Sequence, residues 1–162
     1  ADLGDCSRKT YGYESGSPCI YLKLNKIFNV VNDYYNDTQN LPDDMPEGLK
    51  KHIAKQTNKN QVWVDCEGEN PADIEGFEKF EYFPKSRGFP DYYFPFKGQD
   101  QPYLSPVVAV QILNPKIAQL LHIECRAWSK NIGYNRRDRI GVVHFELMVH
   151  DQTTANPPKV RN

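Results

Sequence analysis

The sequence contains no long apolar stretch. No run of about eighteen apolar residues occurs in its 162 residues, and the mean hydropathy of −0.71 is low. Because a membrane-spanning helix needs about 20 consecutive apolar residues, none is predicted in the chain. Residues 1–5 do not begin like a secretory signal peptide. The chain is therefore expected to be soluble, and it equally fits an extracellular fragment whose membrane anchor lies upstream.

A strong net charge and the common catalytic motifs are also missing. Lys and Arg number 20 against 21 Asp and Glu, which excludes the net basic field typical of nucleic-acid-binding domains. The sequence has no G-x-S-x-G, H-E-x-x-H, P-loop or G-x-G-x-x-G motif. We therefore expect no enzyme, no cofactor and no nucleic-acid partner. A small hydrolase or metal-dependent enzyme is the disfavoured alternative.

The four cysteines include no C-x-x-C pair. This absence excludes zinc-ribbon and thioredoxin-like spacings, and the even number favours disulfides formed in an oxidising compartment. Three pairings are open to Cys6, Cys19, Cys66 and Cys125. We predict Cys6 with Cys19 and Cys66 with Cys125, because this pairing gives one short loop and one long, un-nested loop.

Alternation of apolar and polar residues predicts a mostly β fold. Leu121, Ile123 and Cys125 fall on one face of a stretch whose intervening residues fall on the other, which is the period of a half-buried strand. Cys66 is expected to meet Cys125 across a sandwich of antiparallel sheets. Further strands are predicted at residues 20–24, 61–66, 107–112 and 143–149.

One short helix and long polar loops complete the predicted architecture. Pro46 near a first helical position, with Leu49 and Ile53 on one face, predicts a flanking helix that ends near Lys55. The basic residues of this helix are interpreted as lying on its solvent-exposed face. Asn36 begins the N-x-[ST] sequon of a turn-rich loop, so we predict glycosylation at this residue.

Aromatic residues are concentrated in residues 77–96. This segment contains nine Phe and Tyr residues, and Pro84, Pro90 and Pro95 prevent a long regular element in it. Some of the rings are needed to fill the core of a sandwich. The remainder exceeds what a small sandwich hides, and exposed Tyr-rich patches often mark partner sites. We expect the rings to divide about evenly between the two roles.

Two polar patches have both a functional and a structural interpretation. Two strands each carry a histidine and a glutamate on the same face, namely His122 with Glu124 and His144 with Glu146. If these strands pair, the four side chains come together and could bind a metal ion. The solvent-facing side of a sheet is the favoured interpretation, and no metal is predicted. The second patch is a basic loop suited to phosphate or sialylated sugar, although surface ion pairs with Asp138 and its neighbours are favoured. It contains Lys130, Arg136, Arg137 and Arg139.

A series of short blocks extends over roughly residues 6–150. In chain order they are Tyr11-Gly12-Tyr13, Gly16-Ser17-Pro18-Cys19, Lys23-Leu24-Asn25-Lys26, Gly88-Phe89-Pro90, Tyr93-Phe94-Pro95-Phe96, Tyr103-Leu104-Ser105-Pro106, Ala109-Val110-Gln111, Ile123-Glu124-Cys125-Arg126-Ala127, Asn131-Ile132-Gly133-Tyr134 and Asp138-Arg139. In this order the blocks resemble the C-terminal part of the ectodomain of sodium/potassium-transporting ATPase β-subunits, and the proton/potassium pump β-subunits are similar. Residues 27–65 match that family poorly.

The resemblance implies a single-span protein of the plasma membrane with its C-terminus outside the cell. It implies an immunoglobulin-like antiparallel β-sandwich, here residues 1–151, and the two consecutive disulfides predicted above. Residues 152–162 extend past the usual end of the family, and their low apolar content with Pro157-Pro158 predicts a flexible tail. In the family this subunit is non-catalytic and helps the catalytic α-subunit to fold, reach the membrane and occlude potassium. Some members also contact β-subunits on neighbouring cells. Membrane contact is expected only through an anchor outside this chain.

The aromatic motif of that family has Tyr-Tyr-Pro-Tyr-Tyr-Gly-Lys character. Here Tyr93-Phe94-Pro95-Phe96-Lys97-Gly98 keeps the rings for packing and loses hydroxyl groups for hydrogen bonds. A secreted or cell-surface adhesion or glycan-binding β-sandwich is the alternative function. The predicted contact residues for the α-subunit are Tyr92, Tyr93, Phe94, Phe96, Gly98 and Tyr103.

Overall fold

The computed structural model describes residues 3–25, 31–96 and 105–151. Within these ranges the strands are β1 Cys19–Leu22, β2 Gln61–Gly68, β3 Lys79–Phe83, β4 Gly88–Pro90, β5 Val108–Leu113, β6 Leu121–Trp128 and β7 Val142–Leu147. The helices are α1 Glu47–Lys55 and α2 Pro71–Ile74, and 3₁₀ turns cover Gly4–Ser7 and Asp91–Tyr93. A three-stranded sheet has the order β1-β5-β3 and a four-stranded sheet the order β4-β2-β6-β7, with every strand pair antiparallel. The predicted β-sandwich is confirmed.

The main core lies between the two sheets. Strand β6 places Leu121, Ile123 and Cys125 on the inner face, where they are buried against the other sheet, as a period of two predicts. Burial of a side chain of this size stabilises the fold by about 1.5–3 kcal/mol. The other core residues include Val62, Val64, Tyr82, Phe89, Val108, Val110 and Ile112.

Helix α1 covers one half of the outer face of the four-stranded sheet. Leu49 and Ile53, one turn apart, are fully buried and pack in one cluster with Met45, Trp63 and Trp128. Trp63 and Trp128 lie directly opposite each other in the β2–β6 register, on the side away from the main core. The predicted helix is confirmed, and the two large rings explain why it docks there.

The outer face of the three-stranded sheet is covered by the N-terminal segment. Cys6 and Cys19 form a disulfide and pack with Phe83 and Ala109. The Tyr21 hydroxyl donates a hydrogen bond to the Cys6 carbonyl and holds the segment on β1. Gly12 has a φ of +77°, and a Cβ atom there would lie 2.1 Å from the Ser17 carbonyl oxygen, so the turn requires glycine.

The second disulfide joins Cys66 to Cys125, as predicted, but not across the sandwich. The two residues are register partners on β2 and β6, which are neighbours in the four-stranded sheet. The expectation of a bridge between the sheets was wrong, because alternation assigns a residue to a face and does not identify the neighbouring strand. Both cysteines face the main core, so the bridge fixes two strands of one sheet from its inner side.

Candidate partner-binding surface

The aromatic segment is mostly part of the fold. Eight of its nine rings are buried or half-buried, and Tyr92 is the exposed one, at 73%. The expected even division between core and surface was therefore wrong. Two short strands, β3 and β4, run through the segment and place Tyr82 and Phe89 in the main core. Neither strand is predicted from the sequence, because the prolines interrupt the alternation of apolar and polar residues.

Tyr92 is presented by a fixed turn. The Asp91 backbone N–H donates to the Asn60 carbonyl at 2.9 Å, and the Phe94 N–H donates to the Asp91 carbonyl at 2.9 Å, which closes the 3₁₀ turn. The rings of Tyr92 and Tyr93 are 4.7 Å apart and tilted by 44°. Partial burial, followed by the neighbouring Tyr93 and Asp91, raises the pKa of Tyr92.

Phe94 and Phe96 lie behind this turn. Phe94 is half-buried and packs against the main core, and Phe96 is only 5% exposed. Both rings line a cleft of about 540 Å³, together with Leu22 of β1 and Val142 of β7. They therefore anchor the segment, while Tyr92 faces outward. The other two predicted contact residues, Gly98 and Tyr103, lie outside the described residues.

Asn36 is a neighbour of this turn. Its side-chain amide donates to the Asn60 side-chain oxygen at 2.8 Å, and the Asn60 carbonyl is the acceptor that holds Asp91. Asn36 and Thr38 are exposed, as a glycosylation acceptor requires. The predicted site is thus accessible on the surface and close to Tyr92.

The uncovered half of the outer face of the four-stranded sheet carries the His and Glu residues. In the β6–β7 register His122 lies opposite Glu146, and Glu124 lies opposite His144, so the strands pair as the metal hypothesis required. Glu124, however, is 5% exposed and accepts hydrogen bonds from Tyr134 at 2.9 Å. It is therefore occupied by partners from the 129–139 loop.

Glu69 takes the place expected for Glu124. Its Oε1 lies 2.7 Å from Nδ1 of His144, and it directly follows β2. Glu69 is absent from the predicted site because the predicted strand ends at Cys66. Continuing the same alternation by three residues puts Glu69 on the outer face, and that extension was the available signal.

The basic loop forms ion pairs, but not with the expected partner. Arg136 donates to Glu124 at 2.6 Å and lies 3.3 Å from Glu69. Asp138 instead accepts a hydrogen bond from Asn135 at 2.7 Å. The Glu124 carboxylate is the main cause of a raised pKa at Arg136. Arg136 thus holds the loop against the sheet, and its guanidinium is less available to bind a phosphate or a sugar.

Within the described residues, no helix combines the length and the apolar character needed to cross a bilayer. Fold and surface together define the class: a disulfide-bonded antiparallel β-sandwich domain that presents an exposed tyrosine on a fixed turn. The family model for the sodium/potassium ATPase beta chain matches residues 1–145. The chain belongs to this family.

Relatives confirm the assignment. The chain is 48% identical over 152 residues to the sodium/potassium-transporting ATPase subunit beta-1 of Drosophila melanogaster, covering 91% of this chain and 48% of the relative. It is 46% identical over 150 residues to subunit beta-2 of the same organism, covering 89% and 46%, and 31% identical over 155 residues to subunit beta-233 of Anguilla anguilla, covering 92% and 49%. The chain spans about half the length of these relatives.

Proposed function

We propose that this chain is the C-terminal part of the extracellular domain of a β-subunit and binds the catalytic α-subunit of a sodium/potassium pump. The observation that carries the proposal is the match to relatives named as subunits of this ATPase over about nine-tenths of the chain. The subunit is non-catalytic and lies on the outer side of the plasma membrane. It assists the folding, delivery and potassium handling of the α-subunit.

Tyr92 and Tyr93 are the proposed centre of the contact surface. Tyrosine is enriched in partner interfaces because a rigid amphipathic ring buries a large area at a small loss of conformational entropy. Tyr92 is 73% exposed while its backbone is held by hydrogen bonds from both ends of the turn. A backbone turn that is already ordered loses little conformational freedom on binding. Phe96 is buried, so it supports this surface from behind.

The test is co-expression of the α-subunit with the full-length β-subunit, followed by affinity purification through β. The wild-type subunit should recover the α-subunit, and its failure to do so would contradict the assignment. Tyr92→Ala should lower the recovered amount several-fold, as truncation of a central aromatic residue does. Tyr13→Ala is the matched control, because Tyr13 is 61% exposed on the N-terminal segment. Equal recovery with all three proteins would exclude the Tyr92 surface and leave the subunit assignment intact.

A second function, contact with β-subunits on neighbouring cells, is proposed for a different surface, which a separate group of tyrosines forms. Tyr11, Tyr13 and Tyr21 are 50%, 61% and 40% exposed, and the rings of Tyr11 and Tyr21 pack edge to face at 5.8 Å. Cells that display the wild-type subunit should aggregate, and Tyr13→Ala should reduce the aggregation. Aggregation equal to that of cells without the subunit would contradict this use.

A further inference from the structure

Three possible metal ligands meet on the outer face of the four-stranded sheet, beside the half that α1 covers. Glu69 follows β2, His122 belongs to β6 and His144 belongs to β7. One ligand atom from each residue lies within 4.8 Å of the ligand atoms of the other two. The set therefore comes from three neighbouring strands and is assembled by the sheet itself.

The backbone fixes the positions of these residues. The Glu69 N–H donates to the His122 carbonyl at 3.0 Å, and the His122 N–H donates to Oδ1 of Asp73 at 3.0 Å. The Glu69 side chain is 17% exposed, and those of His122 and His144 are 34% and 38% exposed. Two imidazoles and a carboxylate are thus held on a rigid surface with a path to solvent.

This donor set suits zinc. Two histidines and one glutamate are a known three-ligand combination for Zn²⁺, with a fourth position left for water or another ligand. Ligand atoms of a tetrahedral zinc ion lie about 3.4 Å apart, given metal–ligand distances of about 2.0–2.2 Å. In the structure Nδ1 of His144 lies 2.7 Å from Oε1 of Glu69, and all three ligand atoms lie within 4.8 Å of one another, so the set is close to the spacing that zinc requires. Glu146, 3.6 Å from Nδ1 of His122, is a further carboxylate at the same place.

Arg136 is the group that opposes a cation here. Its guanidinium lies 3.3 Å from Glu69, on the same oxygen that contacts His144. The side chain is 57% exposed and also holds Glu124 at 2.6 Å. Arg136 therefore retains a carboxylate partner when Glu69 turns to a metal ion, so its release from Glu69 leaves no unpaired buried charge.

We propose that Glu69, His122 and His144 form a binding site for Zn²⁺. The bound ion links the end of β2 to β6 and to β7, which is the edge strand of this sheet. The site is structural or regulatory, and it shares no residue with the Tyr92 turn. The folded state that holds the ion is stabilised by mass action, and this gives the site a readout independent of pump activity.

The test is a titration of the full chain, disulfides formed, with ZnCl₂ near neutral pH by isothermal titration calorimetry, together with thermal unfolding. One saturable Zn²⁺ equivalent and a rise in Tm are expected. His122→Ala and His144→Ala should each weaken binding at least about tenfold, because even the loss of an outer partner of a metal ligand typically costs that much. Both residues are partly exposed, so the variants should fold, and circular dichroism verifies this.

His150→Ala is the matched control, since His150 is exposed and outside the set, and its affinity should equal that of the wild type. Arg136→Gln should bind Zn²⁺ more tightly than the wild type, whereas Arg137→Gln should not. Absence of saturable binding, or equal binding in the two histidine variants and the wild type, would overturn the proposal. Weaker Zn²⁺ binding by Arg136→Gln would contradict the proposed competition between Arg136 and the ion for the Glu69 carboxylate.

Discussion

Cys66 and Cys125 are directly opposite each other on β2 and β6, with their Cα atoms 4.0 Å apart, and their bridge stays within one sheet. These strands also pair Trp63 with Trp128 at the other end of the register. The disulfide and the tryptophan pair therefore hold opposite faces of the same two strands. Their contributions are separable by mutation, because one faces the main core and the other faces α1.

Removal of the long-loop disulfide should destabilise the chain more than removal of the short-loop disulfide. The sequence separations are 59 for Cys66–Cys125 and 13 for Cys6–Cys19, and the chain-entropy relation gives about 4 and about 3 kcal/mol, respectively. Urea unfolding of the two double Cys→Ser variants measures the difference. A larger loss for the Cys6–Cys19 variant would contradict this order.

Leu49→Ala should detach α1. The side chain is fully buried between the helix and the tryptophan pair, and a Leu→Ala change at such a site costs about 2–5 kcal/mol. Lys51→Ala, on the exposed side of the same helix, should change stability by less than about 0.5 kcal/mol. Because the chain has 2 Trp residues and both belong to this cluster, tryptophan fluorescence follows the transition. Equal midpoints for the two variants would be the contrary result.

Arg87 should stabilise the fold, although it is a charged residue that is mostly buried. Its guanidinium pairs with Asp65, donates to the Val64 carbonyl at 2.9 Å and lies 4.1 Å from the centre of the Tyr82 ring. Burial lowers the pKa of Arg87 to about 10. Arg87→Ala leaves the Asp65 carboxylate mostly buried without its cation, at a cost of about 3–5 kcal/mol.

Arg8→Ala is the control for Arg87, because Arg8 forms an exposed pair with Asp5 of the kind that contributes about 0–1 kcal/mol. Equilibrium unfolding in urea compares the two variants. A loss of less than about 1 kcal/mol in Arg87→Ala would contradict the stabilising role of the Arg87–Asp65 pair.

Stability should fall in acid partly through Asp73. Its Oδ1 accepts the His122 backbone N–H at 3.0 Å, and its Oδ2 accepts the Asn70 N–H at 2.9 Å. The His122 hydrogen bond is the main cause of a pKa below the ordinary value of 3.8. Because the folded-state pKa is the lower one, the stabilisation is present above the unfolded-state pKa and disappears as pH falls through the folded-state pKa.

The measurement is the urea midpoint as a function of pH for the wild type, Asp73→Asn and the exposed-site control Asp43→Asn. The Asp73→Asn curve should be lower near neutral pH and flatter in the acid range. The control should follow the wild type. An acid dependence of Asp73→Asn as steep as that of the wild type would exclude the carboxylate as a contributor.

Asn36 should carry an N-linked glycan when the protein passes through a secretory pathway. The residue is exposed and lies in a described loop. Peptide:N-glycosidase should reduce the mass of the wild type and leave Asn36→Gln and Thr38→Ala unchanged, while Thr38→Ser keeps the sequon and the glycan. An unchanged mass of the treated wild type would show that the site is not used.

The sequence was sufficient to predict which face of a strand or helix a residue occupies, but not which strands pair with each other. The alternation along β6 correctly placed Leu121 and Ile123 in the core, and the i, i+4 spacing of Leu49 and Ile53 correctly identified α1. Periodicity does not determine which strands pair, because pairing depends on contacts distant in sequence. For that reason the in-sheet position of the Cys66–Cys125 bridge was not foreseen.

The candidate surface itself stays a prediction, and the structure shows only which of its residues are exposed. The composition of residues 77–96 directed attention to this segment, yet it could not separate the exposed Tyr92 from the buried Phe96. Prolines and short strands in this segment leave no repeating pattern from which side-chain direction can be obtained. Glu69 was missed for a related reason, since it follows a strand end, and strand ends are the least certain part of a pattern.

The hydrogen bonds that join Asn36 to Asn60, and Asn60 to Asp91, connect the predicted glycosylation site to the turn that carries Tyr92. If Asn36 carries a glycan and this turn binds the α-subunit, the sugar lies next to the docked polypeptide. A bulky polar group at this position would then limit how a partner can approach the turn.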